Sequence, residues 1–92
     1  MTTKPLEKLE QQRQLFDPYK VLLHNDDTHG MHEVVDALLK SVPQLSQEEA
    51  IAIMEEAHTK GVALVISCPL EHAEMYRDRL QSFGLTATIE KG

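Results

Sequence analysis

Cys68 is the only cysteine in the 92 residues, so no internal disulfide framework can hold the fold, and a reducing compartment suits the chain. Basic residues are sparse as well, nine Lys and Arg against fifteen Asp and Glu, for a net charge of -6. They are also scattered, whereas a phosphate backbone needs them clustered, which argues against nucleic acid as a partner. Long apolar runs are missing too. Crossing a bilayer takes ~18 consecutive apolar residues, while the longest run, Val62 to Ile66, is strand-sized. No signal peptide is visible and no membrane association is expected. The remainder, 41% hydrophobic and 26% charged, has the composition of an ordinary soluble globular protein. A chain of this length makes one domain that buries about 60–65% of its unfolded surface.

Residues 1–18 are polar, with Leu6, Leu9, Leu15 and Phe16 as thin apolar exceptions, and Asp17-Pro18 ends any helix there. They are read as a flexible N-terminal arm, and residues 19–92 as the folded domain. Tyr19 to His24 has the aromatic, β-branched and apolar make-up of a strand. Met31, Val34, Val35, Leu38 and Leu39 then repeat at helical spacing until Pro43. Ser46-Gln47-Glu48-Glu49 is a capping box that opens a second helix. Ile51, Met54, Ala57 and His58 share its inner face, and Gly61 stops it. The all-apolar run Val62 to Ile66 predicts a central, covered strand. Pro69 suits the first turn of a third helix, with Leu70, Ala73, Leu80 and Phe83 inward and Gly84 at its end. Leu85, Ala87 and Ile89 alternate with polar residues as a last strand. The order β-α-α-β-α-β predicts an α+β fold, a three-stranded antiparallel sheet with three helices packed on one face.

Chemistry concentrates between the first strand and the first helix, in His24-Asn25-Asp26-Asp27-Thr28-His29-Gly30-Met31. Carboxylates beside an apolar wall suit a small cation that carries an apolar group. Gly30 is read as supplying backbone angles that other residues resist. Rival readings exist. His24, His29 and His32 with Asp26 and Asp27 offer metal ligands, but at no tight ligand spacing. A calcium loop fails because His29 replaces an oxygen ligand and a strand precedes the loop. Cys68 near a helix start, with His72 one turn on, sketches a nucleophile pair that lacks an orienting third group. His58 on an apolar helix face reads first as a half-buried histidine. Packed beside the loop, with Met31 and Met54 below, it would complete a polar rim over an adaptable apolar floor.

Tyr19 to Asp27, then Met31, then Met54 with Ala57-His58-x-x-Gly61, and Ile89-Glu90-Lys91 at the end, together resemble the ClpS family. Its members are adaptors that deliver N-end-rule substrates to Clp AAA+ unfoldases. The resemblance implies that Asn25, Asp26, Asp27 and His58 ring a substrate's free α-amino group. It implies that Met31, Val34, Met54, Ala57 and Leu85 line the pocket for its first side chain, which is Leu, Phe, Tyr or Trp. An α-amino group, with a pKa of about 7.7–8, is largely cationic at neutral pH and wants such acceptors. Burying the first side chain adds roughly 1.5–3 kcal/mol, and neither contribution alone outweighs the cost of association. His29-Gly30 stands where family members commonly carry Thr-Pro, and Ala57 where a larger β-branched residue is common, so these positions are expected to modulate selectivity.

The resemblance further implies docking on the N-domain of a ClpC- or ClpA-type unfoldase through Glu71 and Tyr76, Tyr76 standing where lysine is common. It implies a protein of the bacterial cytosol, the plastid stroma being also compatible, with no catalytic residues, no metal and no cofactor; a monomer is simply the default. The main alternative is a docking module that modulates the unfoldase without binding N-degrons. A His/Asp metal-binding protein comes next, and a Cys68–His72 hydrolase last.

Overall fold

The computed structural model describes residues 16–92. The arm assigned to residues 1–18 therefore lies almost wholly outside the described residues. Phe16 is exposed, and Pro18 already belongs to the first strand. The elements are β1 (Pro18–His24), α1 (Met31–Ser41), α2 (Gln47–Lys60), β2 (Val62–Pro69), α3 (Leu70–Ser82) and β3 (Ala87–Lys91). Their order is the one the periodicities predict.

The sheet runs β2-β1-β3, with both neighbours antiparallel to β1. The strand expected at the centre, β2, is thus an edge, and β1 is central. The apolar run misled because only alternate residues are covered. Ala63 and Val65 are buried, whereas Val62 and Leu64 point away from the core at 39% and 45% exposure. Opposite β1, Val21 pairs with Ile66 and Leu22 with Leu64, which leaves Val65 as the extra residue of a β-bulge. Inward residues of the sheet (Val21, Leu23, Ala63, Val65, Ala87) join the core that the three helices cover. Leu23, Leu38 and Leu80 are fully buried, each contributing about 1.5–3 kcal/mol through burial.

Helix ends follow their sequence signals, with small displacements. The capping box is complete: Glu49 N–H donates to Ser46 Oγ at 3.1 Å, and Ser46 N–H to Glu49 Oε1 at 3.0 Å. Gly61 closes α2 in the left-handed conformation, φ 89°, and its N–H donates to Ala57 O at 2.9 Å. Pro69 is the residue before α3 rather than part of its first turn. In α2 the core takes Ala50, Ile53, Met54 and Ala57, and the expected inward Ile51 is 36% exposed. In α3 the core takes Ala73, Tyr76 and Leu80, while Phe83 lies beyond the helix and is exposed. Met54 and Ala57 in α2, and Ala73 and Leu80 in α3, are buried as expected, so only the edges of the two stripes differ.

Candidate functional site

The loop after β1 does not leave the fold freely. His24 N–H donates to Thr86 O and Asn25 N–H to Gly61 O, both at 2.9 Å. The second bond fastens the start of the loop to the C-cap of α2. His58 sits less than one turn back from that cap, which is why residues so far apart in sequence share one rim.

Asp26 organises the loop itself. Its Oδ1 accepts Thr28 N–H at 2.6 Å and His29 N–H at 3.3 Å, and its Oδ2 accepts from His29 Nδ1. This is the self-capping turn that Asp favours. The Thr28 N–H holds the Asp26 carboxyl below the usual carboxylate range; partial desolvation opposes this, and the His29 bonds add to it. An ionised carboxylate only accepts, so His29 must donate from Nδ1. Of roughly four lone-pair positions on a carboxylate, three are taken, which leaves one on Oδ2.

Gly30 is not in a special conformation. At φ -69° and ψ 158° it is ordinary extended backbone, and it caps α1 without any side-chain bond. The wider range of angles open to a glycine is therefore not used at this position. That freedom is used at Gly84, φ +84°, where a Cβ would come within 3.1 Å of His29 Nε2. The turn after α3 is thus shaped around the His29 ring.

These elements line a small open cavity with a volume of about 40 Å³. Asn25, Asp26, His29 and His58 form its polar part. Met31, Val34, Met54, Ala57 and Leu85 form its apolar part. Asp27, expected in the ring, is exposed and does not line the cavity; nor does Gly30. Two lining residues were not foreseen, Leu23 and His24. They are the last two residues of β1, and their position beside the loop was the available signal. Asn25, the free position on Asp26 and one ring nitrogen of His58 add up to about three acceptors, the number an ammonium group can use.

The remaining candidates separate. Among the described residues, no three His, Cys, Asp or Glu side chains converge on a common point. His24 Nε2 bonds Thr88 Oγ1 at 2.7 Å, His29 is held by Asp26, and His32 is exposed on α1. Burial pushes the Cys68 thiol up, the opposite of nucleophile activation. Glu71 is exposed in the first turn of α3. Tyr76 is 5% exposed, its hydroxyl takes a hydrogen bond from Gln44 Nε2, and the Arg79 guanidinium lies 5.9 Å from its ring centroid. It is a packing residue, which corrects its expected place on a docking surface. No described helix is long and apolar enough to cross a membrane.

Fold and cavity define a small α+β binding domain, and comparison with known proteins gives its family. Residues 14–88 match the family described as "ATP-dependent Clp protease adaptor protein ClpS". The chain is 48% identical over 90 residues to the ClpS adapter protein of Gloeobacter violaceus, covering 98% of this chain and 97% of that protein. It is 45% identical over 91 residues to the chloroplastic adapter CLPS1 of Chlamydomonas reinhardtii, covering 99% of this chain and 56% of that one. Among solved structures, Agrobacterium tumefaciens ClpS2 bound to L-phenylalaninamide superposes with a TM-score of 0.77 at 28% identity, covering 83% of this chain and 98% of that one. The chain belongs to the ClpS family of Clp protease adaptors.

Proposed function

We propose that this protein recognises the free α-amino group and the bulky apolar first side chain of N-degron substrates and passes them to a ClpC- or ClpA-type unfoldase. The observation that carries the proposal is the pairing of acceptors with an apolar floor in one cavity. Asn25, Asp26 and His58 take the ammonium, and Asp27 adds its charge from beside the rim. Met31, Val34, Met54, Ala57 and Leu85, with Leu23 beneath, receive the first side chain. His29 orients Asp26 and forms part of the wall, so with Gly30 it modulates selectivity. The ligand of the Agrobacterium protein lends support, since phenylalaninamide offers both a free amine and an aromatic side chain. Glu71 is the exposed acidic contact for the unfoldase N-domain, and the protein acts as a monomer in the bacterial cytosol or plastid stroma.

Fluorescent peptides that begin with Phe, Leu, Ala or acetyl-Phe test this directly. Phe and Leu peptides bind, while Ala and acetyl-Phe peptides lose most of the affinity. Asn25→Ala and His58→Ala abolish binding in folded protein, and Asp27→Ala weakens it only at low salt. Equal affinity for Phe and acetyl-Phe peptides would remove amine recognition. Unfoldase binding without any peptide binding would leave a docking module instead.

A further inference from the structure

We propose that the groove between α1 and α2 is a second cargo subsite, which takes an apolar side chain at the third residue of the bound N-terminus. The inference rests on the proposed function and extends it from one residue to three. The groove is lined by Met31, His32, Val35, Gln47, Ile51 and Met54. Two of these are conspicuous for their exposure, Met31 at 56% and Ile51 at 36%. Met31 and Met54 also line the first-residue cavity. The groove and that cavity are therefore neighbours that share a wall of two methionines, the side chains best able to repack around variable partners.

Spacing gives the direction. His58, Met54, Ile51 and Gln47 recur at four-, three- and four-residue intervals, so they form one row along α2. At 1.5 Å per residue, Met54 lies about 6 Å and Ile51 about 10.5 Å from the level of His58. An amine held at His58 with its side chain near Met54 starts a peptide that follows this row. In an extended chain the first and third side chains face the same way, roughly 6.6 Å apart, and the second faces the opposite way. The third side chain then arrives between Ile51 and Gln47, over the groove.

Peptides beginning Phe-Ser-Leu, Phe-Ser-Ser, Phe-Leu-Ser and acetyl-Phe-Ser-Leu, titrated against the whole chain, test the proposal. Phe-Ser-Leu is expected to bind roughly tenfold tighter than Phe-Ser-Ser, as partial burial of a leucine implies. Ile51→Gln, at an exposed position that tolerates glutamine, should bring that ratio below about twofold. Equal affinities for Phe-Ser-Leu and Phe-Ser-Ser would overturn the proposal. If acetyl-Phe-Ser-Leu still bound far more weakly, first-residue recognition would stand without it. The same gain from Phe-Leu-Ser would overturn the assignment to the third position. Undiminished binding of the acetylated peptide would overturn both readings. Self-association removed by Ile51→Gln, without a third-residue preference, would assign the groove to a second copy of the chain and likewise overturn the proposal.

Discussion

Replacing Gly30 by proline puts the geometry of the loop to a direct test. Proline fixes φ near -65 ± 15°, and Gly30 already sits at -69°. Its carbonyl, which accepts Val34 N–H at 3.1 Å, survives the change, and among the described residues no acceptor takes its N–H. The nearest atom to an added Cβ is Glu33 Oε1 at 3.5 Å, an ordinary contact. With nothing lost in the folded state, the gain comes from the unfolded chain, which has fewer conformations to give up. That is worth about 0.4–1 kcal/mol, or roughly 2–8 °C in Tm for a domain of this size. Circular dichroism melts give the Tm, and urea unfolding with an unchanged m-value confirms that stability itself has moved. A lower Tm would refute the reasoning, because it would mean that the Gly30 N–H is needed or that His29 cannot adopt the extended backbone a following proline demands. Gly84→Ala is the contrasting control. Its positive φ and its 3.1 Å approach to His29 make that substitution destabilising.

Ser41 is fully buried and its hydroxyl has no partner among the described residues. Ser41→Ala should therefore stabilise by about 1–2 kcal/mol, measured by urea midpoint. Acid should weaken the fold through Asp26 and Glu49, held low by the Thr28 and Ser46 N–H groups respectively. Because these carboxyls titrate lower in the fold than in the unfolded chain, their contribution is complete above about pH 5 and is lost as pH falls through the folded values. Asp26→Asn should flatten the slope of stability between pH 5 and 3 seen in urea titrations; an unchanged slope would exclude Asp26 as a source. Ala57 is 4% exposed and lines the cavity. Ala57→Val should shrink the cavity and lower affinity for Trp and Phe peptides more than for Leu peptides, by about five- to tenfold in the ratio.

Much of this was legible in sequence because the signals were local. The Ser46–Glu49 box, the Gly61 stop and the period of the first helix each act within a few residues. The misreadings share the opposite character. An apolar pentapeptide cannot reveal that β1, not β2, has neighbours on both sides, so Val62 and Leu64 passed for core. Ile51 was placed inward because a helical period fixes the centre of a stripe, here Met54 and Ala57, better than its edges. Tyr76 depends on Gln44 and Arg79, which only tertiary structure brings to it. At the site, residue types suggested polar groups beside two methionines, while Val34 and Leu85 came only with the family resemblance. Residue types could not say which carboxylate would be spent on the loop: Asp26 turns back to cap Thr28 and His29, and Asp27 is left outside the cavity. Gly30 invited a reading from its freedom, while the glycines that use positive φ near the site are Gly61 and Gly84.

The loop is the direct continuation of the middle strand, and this has a mechanical consequence. A pull on the chain ahead of Pro18 loads β1 in shear against β2 and β3 together, so the ladders on both sides must fail before the strand can move. If β1 did slip by a single residue, its inward and outward side chains would exchange faces, and the backbone bond from Asn25 to Gly61 would be broken. The rim would then come apart in the same step. The shape of the rim and tension on the N-terminal end of β1 are thus joined along a single strand.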